Sequence, residues 1–227
     1  MEGVKQFDLA ATPLRDVNRF LHAPASVARV RILNADGAHS IAAGLDAPLE
    51  IEVDGHAGYY LGGMNKHANI TVHGNAGPGV GENMMSGTIR VEGFASTAAG
   101  ASAHGGTLII HGDAALRCGI SLKGGDIVVG GSVGSFSAFM AQAGRIVICG
   151  DAGDALGDSL YEAVIYVRGN VRSLGADARF EDMSEADYNA VRELLARAGF
   201  KHDVREFKRV ASAKNLYHWN ADANQEY

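Results

Sequence analysis

Apolar residues alternate with other residues in short segments that recur along most of the chain. In each segment, the fourth and the second residue before a glycine are apolar and mostly β-branched. The first of these positions holds Ile51, Ile70, Ile89, Leu108, Ile127, Ile146 and Ile165, and the second holds Val53, Val72, Val91, Ile110, Val129, Ile148 and Val167. Alternation with period 2 is typical of a β-strand that buries one face. Stacked repeats are therefore predicted to form continuous ladders of buried side chains.

The glycine that follows each segment recurs every 19 residues and is part of a larger set of aligned glycines. A first column holds Gly55, Gly74, Gly93, Gly112, Gly131, Gly150 and Gly169. A second column, seven residues later, holds Gly62, Gly81, Gly100, Gly119 and Gly157, with Ala138 and Ala176 at two positions. Further glycines align at Gly58, Gly77, Gly134 and Gly153, and at Gly87, Gly106, Gly125 and Gly144. They are predicted to lie at corners that need positive φ or close backbone approach.

The length of the repeat selects the fold class. Nineteen residues leave no room for a helix beside each strand, and the leucines and Asn ladder of leucine-rich repeats are absent. A left-handed hexapeptide helix would need six-residue units, into which 19 does not divide. The sequence therefore predicts an all-β protein, a right-handed parallel β-helix of about seven 19-residue coils. Glycine is missing at Ala138, Ala176 and Arg172, so the last coils are predicted to be less regular.

Two segments with helical periodicity flank the repeats and are predicted to cover the ends of the stack, where unpaired strand edges would invite aggregation. The first has Thr12 as N-cap and Pro13 at the first helical position. The second begins at Ser184, with Asp187 placed for a capping box, and ends at Gly199. The predicted divisions are residues 1–48 for the first helix and an irregular first coil containing Val30 and Ile32, 49–180 for the β-helix, and 181–227 for the second helix and a docking tail.

Charge and composition exclude several classes of protein. The net charge of −6 argues against a nucleic-acid surface. No apolar run approaches the ~20 residues that span a bilayer, and the N-terminus lacks the apolar core of a signal peptide. A cytoplasmic protein with neither nucleic-acid nor membrane partners is expected. The two cysteines, Cys118 and Cys149, cannot hold a metal cluster alone and are predicted to be free thiols on opposite faces.

The outward position three residues before each first-column glycine changes character along the stack. It is polar at first, in Glu52, Thr71 and Arg90, and then apolar on four consecutive coils, in Ile109, Val128, Val147 and Tyr166. We call the four apolar residues the outward stripe. Contiguous apolar surface usually marks an interface, so a partner subunit or second copy is predicted to cover it. Leu216, Tyr217 and Trp219 complete this candidate interface; alternatively, the tail itself covers the stripe through Phe207, Leu216 or Trp219.

Four other features could carry chemistry, and each has a simpler structural interpretation that we favour. Residues 77–81 resemble a phosphate-binding loop but follow the corner columns. His73 and His111 share a column two coils apart, too far to bind one metal ion. Cys118 shares an inward column with apolar residues, and neither cysteine has an evident activating base. Residues 65–67 and 82–85 are polar or irregular corners that could contact a partner, but exposed turns are usually polar.

The coil pattern resembles a known domain. The spacing Gly-x-x-Gly-x-x-x-Gly occurs at Gly55-Gly58-Gly62, at Gly74-Gly77-Gly81 and at Gly150-Gly153-Gly157. It is similar to the GXGXG domain, the C-terminal β-helix of the glutamate synthase large subunit, which is also a separate subunit in formylmethanofuran dehydrogenase and N-methylglutamate synthase. The resemblance covers about residues 49–180. The flanks at 12–18 and 214–219 are most similar to the stand-alone β-helix subunit of N-methylglutamate synthase, the methylamine–glutamate N-methyltransferase.

This resemblance implies a non-catalytic scaffold subunit of an enzyme complex, with no catalytic, cofactor-binding or metal residues on this chain. The implied partners are a glutamine amidotransferase-like subunit and a glutamate synthase-like subunit that binds FMN and iron–sulfur clusters. The complex would convert methylamine and glutamate to N-methylglutamate and ammonia, with homo-oligomerisation of the heteromeric unit left open. The alternatives are the equivalent scaffold of a formylmethanofuran dehydrogenase-like complex and an autonomous polysaccharide enzyme. The latter would need carboxylates converging on one face, which the outward columns lack.

Overall fold

A computed structural model describes residues 4–23 and 27–215 and confirms the predicted parallel β-helix. The strands are β1 (Lys5–Asp8), β2 (Arg29–Leu33), β3 (Glu50–Asp54), β4 (Asn69–His73), β5 (Thr88–Val91), β6 (Thr107–Ile110), β7 (Lys123–Val129), β8 (Ala143–Ile148), β9 (Val164–Val167), β10 (Ala178–Glu181) and β11 (Lys208–Ser212). The helices are α1 (Leu14–His22), α2 (Glu185–Ala198) and a 3-10 turn (Val204–Glu206). Strands β1 to β9 pair in chain order and in parallel.

The two predicted ladders form the interior of the stack. Ile51 pairs with Ile70, Val53 pairs with Val72, and the same register continues coil by coil to β9. Every member of both ladders is buried. The ladders extend one coil further towards the N-terminus, because Val30 pairs with Ile51 and Ile32 with Val53. Burial of each such side chain stabilises the fold by about 1.5–3 kcal/mol. Because the apolar pair recurs in every coil, this burial is enough to set the register between strands.

A third, shorter ladder runs along the stack two residues after the first glycine column. It consists of single parallel bridges that join Ala57, Ala76, Ala95, Ala114, Val133, Ala152 and Val171. We did not predict it, although a recurring small apolar residue is visible in the sequence. Small side chains at this column let the chain turn closely around the interior, because five of the seven positions carry only a methyl group.

The two glycine columns serve different purposes. A Cβ added to Gly74 would lie 2.5 Å from the carbonyl oxygen of Gly55, so the first column is needed for close approach between coils. Gly100, in the second column, has φ +67°, a conformation that side chains disfavour. Ala138 adopts the same conformation with φ 59° and leaves its coil regular, so the loss of that glycine does not disturb the stack.

The last coil is one residue shorter than the others. Leu156 bridges to Leu174, a spacing of 18 residues instead of 19. Gly175 therefore occupies the place that follows Gly157, and its N–H donates to the carbonyl of Leu156. The assignment of Ala176 to the second glycine column is wrong, because the deletion shifts the register by one residue.

Helix α1 packs at the N-terminal end of the stack, as predicted. Val17 and Leu21 are buried in the main core, and the side chain of Asn18 donates to Ser40 O and accepts from the N–H of Ala42. The prediction that Thr12 caps this helix is wrong. Thr12 belongs to a turn that closes on the carbonyl of Asp8, and Pro13 takes the N-cap position without a side-chain cap.

The C-terminal end is covered by strands, not by a helix. Strand β11 pairs antiparallel with β9, with Val210 opposite Ile165, and β10 then pairs with β11. Helix α2 has the predicted capping box between Ser184 and Asp187 and the predicted left-handed Gly199 at its end. However, it lies along the side of the stack, against β7 and β8, so the prediction that it covers the end is wrong.

Candidate functional site

The outward stripe is fully buried within this chain. Ile109, Val128, Val147 and Tyr166 have at most 3% of their surface exposed. They form a second core with Cys149 and with Val191, Leu194, Leu195, Ala198 and Phe207. The prediction that these four residues contact a partner subunit is wrong, because α2 lays its apolar face on them. The alternative, cover by the chain's own tail through Phe207, is confirmed; Leu216, Tyr217 and Trp219 lie outside the described residues.

Arg90 fixes the C-terminal end of α2 to the stack. Its guanidinium donates to the carbonyl oxygens of Ala198 at 3.0 Å and Arg197 at 3.1 Å. A cation at this place also interacts favourably with the negative, C-terminal end of the helix dipole. The same guanidinium lies 2.8 Å from Nε2 of His111, whose ring packs edge-on against Phe200. Burial and the nearby charge of Arg90 lower the pKa of His111, so a neutral imidazole accepts from Arg90.

An ion pair on the sheet contacts the C-terminal half of α2, where Glu193 lies 4.0 Å from Arg145 and Arg197 lies 3.8 Å from Asp126. Arg145 donates two hydrogen bonds to Asp126, at 2.7 and 2.8 Å, a bidentate geometry that is among the stronger charged contacts. The bond with Asp126 raises the pKa of Arg145. From the helix, Arg197 donates to Thr107 Oγ1 at 2.8 Å. These groups join α2 to the strands around the buried apolar contact.

Asp187 anchors the first turn of α2. The Tyr166 hydroxyl donates to Asp187 Oδ1 at 2.7 Å, and Arg209 Nε lies 3.2 Å from the same oxygen. Burial and the bond to Asp187 raise the pKa of Tyr166. Burial acts to raise the pKa of Asp187, but hydrogen bonds from Ser184 and Tyr166 outweigh it and lower that pKa. The carboxylate therefore stays ionised and holds the helix in place.

Neither cysteine has the properties of a nucleophile. Burial raises the pKa of Cys118 to about 12, and it raises that of Cys149 to about 11 despite the charge of Arg168. A reactive cysteine needs a lowered thiol pKa. Both thiols are free and buried, Cys118 in the main core and Cys149 beneath α2, which confirms that they lie on opposite faces. Their role is packing.

The two histidines do not share a site. His73 Nδ1 lies 3.0 Å from a carboxylate oxygen of Glu92 on the next coil, whereas His111 contacts Arg90 and Phe200. Within residues 4–23 and 27–215, no group of three or more His, Cys, Asp or Glu side chains could hold a metal ion. The cross-strand surface contact expected for His73 is confirmed, and His111 instead supports α2.

The glycine-rich segment at residues 77–81 is a corner. Its backbone N–H groups already donate to neighbouring coils: Gly77 to Ala57 O, Gly79 to Thr97 O and Gly81 to Leu61 O. A phosphate-binding loop needs such N–H groups free at a helix N-terminus, and the segment is followed by a further turn. The corner interpretation is confirmed.

Two residues of the polar or irregular corners, Asn65 and Met84, are buried instead of exposed. Lys66 and His67 are exposed as expected, but Asn65 is completely buried. Its amide nitrogen donates to Ala68 O at 2.9 Å and to Ser86 O at 3.1 Å, while its Oδ1 has no partner among the described residues. The expectation of an exposed turn is wrong for this residue, because its side chain closes the loop from the inside.

A ladder of side-chain acceptors along one edge was not predicted from the sequence. At the residue after the first glycine column, a side chain accepts the N–H of the equivalent residue 19 positions later. The acceptors are His56, Asn75, Asp113, Ser132 and Asp151. Phe94 interrupts the ladder. A column of polar residues with the same 19-residue period is the sequence signal that could have revealed this ladder. Because these side chains bond to the backbone of the next coil, their role is structural.

Comparison with known proteins gives the family. The sequence matches none of the protein-family models. It is 54% identical over 225 residues to the protein named "Protein GlxC" from Rhizobium meliloti (strain 1021), covering 97% of this chain and 98% of that protein. Among the described residues, no helix is long and apolar enough to cross a membrane. With identity this high over nearly the full length of both proteins, the chain belongs to the GlxC protein family.

Proposed function

We propose that this chain is the non-catalytic β-helix subunit of a glutamate synthase-like complex. The observation that carries the proposal is the match to GlxC over almost the whole of both proteins. The match covers 98% of GlxC, so a single β-helix with short flanks accounts for nearly all of that relative. The Gly-x-x-Gly-x-x-x-Gly coils, similar to those of the glutamate synthase large subunit, support the assignment to this kind of complex.

The local chemistry is consistent with a scaffold. The cysteines are packing groups with raised thiol pKa values. His111 contacts Arg90, and Asp187 accepts from the Tyr166 hydroxyl, so both residues help to fix α2. The column after the first glycines uses its polar side chains to bridge coils. A stack of coils linked by paired strands, side-chain ladders and a docked helix is stiff, which suits a subunit that holds two enzymes in a fixed relation.

The finer assignment is to N-methylglutamate synthase. In this proposal, one partner is glutamine amidotransferase-like and the other binds FMN and iron–sulfur clusters, so the cofactors reside outside this chain. Together the subunits convert methylamine and glutamate to N-methylglutamate and ammonia in the cytoplasm. The similarity of residues 12–18 and 214–219 to the stand-alone β-helix subunit of that enzyme supports this choice over the other complexes.

Purification from the organism that encodes the chain tests the proposal. An affinity-tagged chain, expressed at its natural level, should recover a flavin- and iron–sulfur-containing subunit together with an amidotransferase-like subunit. The assembly should form N-methylglutamate from methylamine and glutamate. The same tag on an unrelated protein is the control. Recovery of a pterin–metal subunit would favour the formylmethanofuran dehydrogenase-like alternative, and a lone chain that cleaves polysaccharide would contradict both.

A further inference from the structure

The sheet ends at β10, whose outer edge pairs with no other strand among the described residues. An open strand edge presents N–H and C=O groups that can pair with a further strand. At this edge the side chain of Phe180 is 50% exposed. Backbone and apolar groups are therefore both open at the C-terminal end of the stack.

Phe180 continues the interior ladder of the β-helix. Ile165 of β9 lies opposite Val210 of β11, and Val210 lies opposite Phe180 of β10. Directly opposed residues point to the same face of a sheet, and Ile165 and Val210 are completely buried in the main core. Phe180 therefore points to the interior face, and it is half exposed because it is the last member of the ladder. One more strand beyond β10 would cover it.

Two residues of opposite charge flank Phe180 and point to the other face of β10. Arg179 donates to one carboxylate oxygen of Glu181 at 2.7 and 2.9 Å, and Arg209 of β11 also contacts Glu181. The Arg179 side chain is 56% exposed and that of Glu181 is 28% exposed. Strand β10 thus carries a cation, an aromatic ring and an anion in that order. This order is complementary to itself when the strand is reversed.

Antiparallel pairing of β10 with the same strand of a second copy makes use of this order. When Phe180 lies opposite Phe180 of the second copy, Arg179 lies opposite Glu181 on both sides of it. A pair centred on Arg179 or on Glu181 would instead place like charges opposite each other, which is destabilising. The charges therefore select one register, and in that register the interior ladder continues from one copy into the other.

We propose that β10 is the contact surface between two copies of this chain, which pair edge to edge and antiparallel about a two-fold axis at Phe180. Because both copies use the same edge, the assembly closes at two and does not continue into a filament. The two stacks are then joined end to end through one sheet. This inference goes beyond the proposed function, since it does not depend on which enzyme subunits the chain holds.

A cross-link at position 180 tests the place of the axis. Opposed residues of an antiparallel pair have Cα atoms about 4.5–5.5 Å apart, which is within the span of a disulfide. Phe180→Cys should therefore give a covalent dimer under mild oxidation. Phe94→Cys is the matched control, because Phe94 is 51% exposed but follows β5 in the middle of the stack. The two native thiols are buried. Absence of the cross-link, or equal cross-linking of the control, would overturn the proposal.

Substitutions of charge test the register. In sedimentation, the wild-type chain should show a dimer in equilibrium with the monomer. Arg179→Glu places two carboxylates opposite each other and should weaken the dimer by at least about tenfold, whereas Arg179→Lys should dimerise like the wild type. Phe180→Lys places like charges on the axis and should abolish the dimer. Both side chains are largely exposed, so all three variants should keep the wild-type circular dichroism.

The outcomes that contradict the proposal are distinct. A wild-type chain that sediments as a monomer at every concentration overturns it. A dimer that Arg179→Glu and Phe180→Lys leave unchanged also overturns it, because the contact then lies elsewhere on the molecule. Neither result affects the proposed function, which depends on the recovery of other subunits.

Removal of residues 216–227 tests the competing occupant of this edge, the end of the chain itself. These residues follow Asn215, whose N–H donates to Asp177 Oδ1 at 2.8 Å directly before β10. A chain shortened to end at Asn215 should dimerise like the full chain. If only the shortened chain dimerises, residues 216–227 occupy the edge of β10 in the full chain, and the contact between two copies is overturned.

Discussion

The environment of a single residue depends on which side of its strand faces the interior. Val129 points into the main core and Val128 points out beneath α2, yet both are completely buried. Alternation in the sequence predicted the first correctly. It could not predict the second, because the groups that cover Val128 come from a helix more than fifty residues further along the chain.

Substitution of Val129 tests the inward ladder. Val129→Asp places a carboxylate in the middle of the apolar stack without a partner, which costs on the order of several kcal/mol. The variant should be insoluble or unfolded by circular dichroism. Thr71→Asp, on the outward side of β4, is the control and should fold. A soluble Val129→Asp chain with the wild-type melting temperature would show that the strand register is wrong.

The neutral state of His111 makes stability depend on pH. Burial and Arg90 lower its pKa below the ordinary 6.5, and burial and Arg168 lower that of His202. Below pH 6.5 the unfolded chain binds protons at these residues before the folded chain does, so the free energy of unfolding falls as pH falls. Melting temperatures should decrease between about pH 7.5 and 5.5. The decrease should be smaller in His111→Gln, and an unchanged pH dependence in that variant would contradict the role of His111.

Among the elements, the boundaries of α2 followed local signals but its position did not. The start and end of α2 were predicted because Ser184, Asp187 and Gly199 act on adjacent backbone. The place of α2 beside the sheet was not predicted, because contacts such as that of Arg90 with Ala198 join residues 108 positions apart. The prediction for Thr12 failed although threonine is a favourable N-cap residue. The turn that closes on the carbonyl of Asp8 places Thr12 outside the helix.

Removal of the Arg90 side chain should loosen α2. Arg90→Ala leaves two helix-terminal carbonyl groups without their charged donor, a loss of about 1–3 kcal/mol. Hydrogen exchange should accelerate first in the C-terminal half of α2, and the melting temperature should fall. Arg192→Ala is the matched control, since that arginine bonds to Asn189 of the same exposed helix face. If the two variants exchange at the same rate along α2, Arg90 does not hold the helix.

The whole molecule is a one-dimensional stack whose two ends and one side are closed by its own chain. Helix α1 covers the first coil, β11 and β10 cover the last, and α2 lies on the side. The sheet continues without a break from β1 to β9. The repeat period was sufficient to predict the stack, because each coil contacts only its neighbours. It carried no information about the ends and the side, where sequence-distant residues meet.

The outward stripe shows what the flanking elements add to the stack. It appeared as a surface in the sequence, but the structure makes it internal, because α2 lies on it. For a repeat protein, the period predicts which columns exist, and the flanking elements decide which columns remain available to partners.

The native mass of the assembly purified through this chain tests directly whether the chain is a scaffold subunit. We predict a heteromeric complex in which this 23.7 kDa chain is joined by two different subunits, one of which releases FMN on denaturation. Dissociation in solution should leave this chain colourless. A mass equal to the chain alone, or only to multiples of it, would contradict its role as a scaffold subunit.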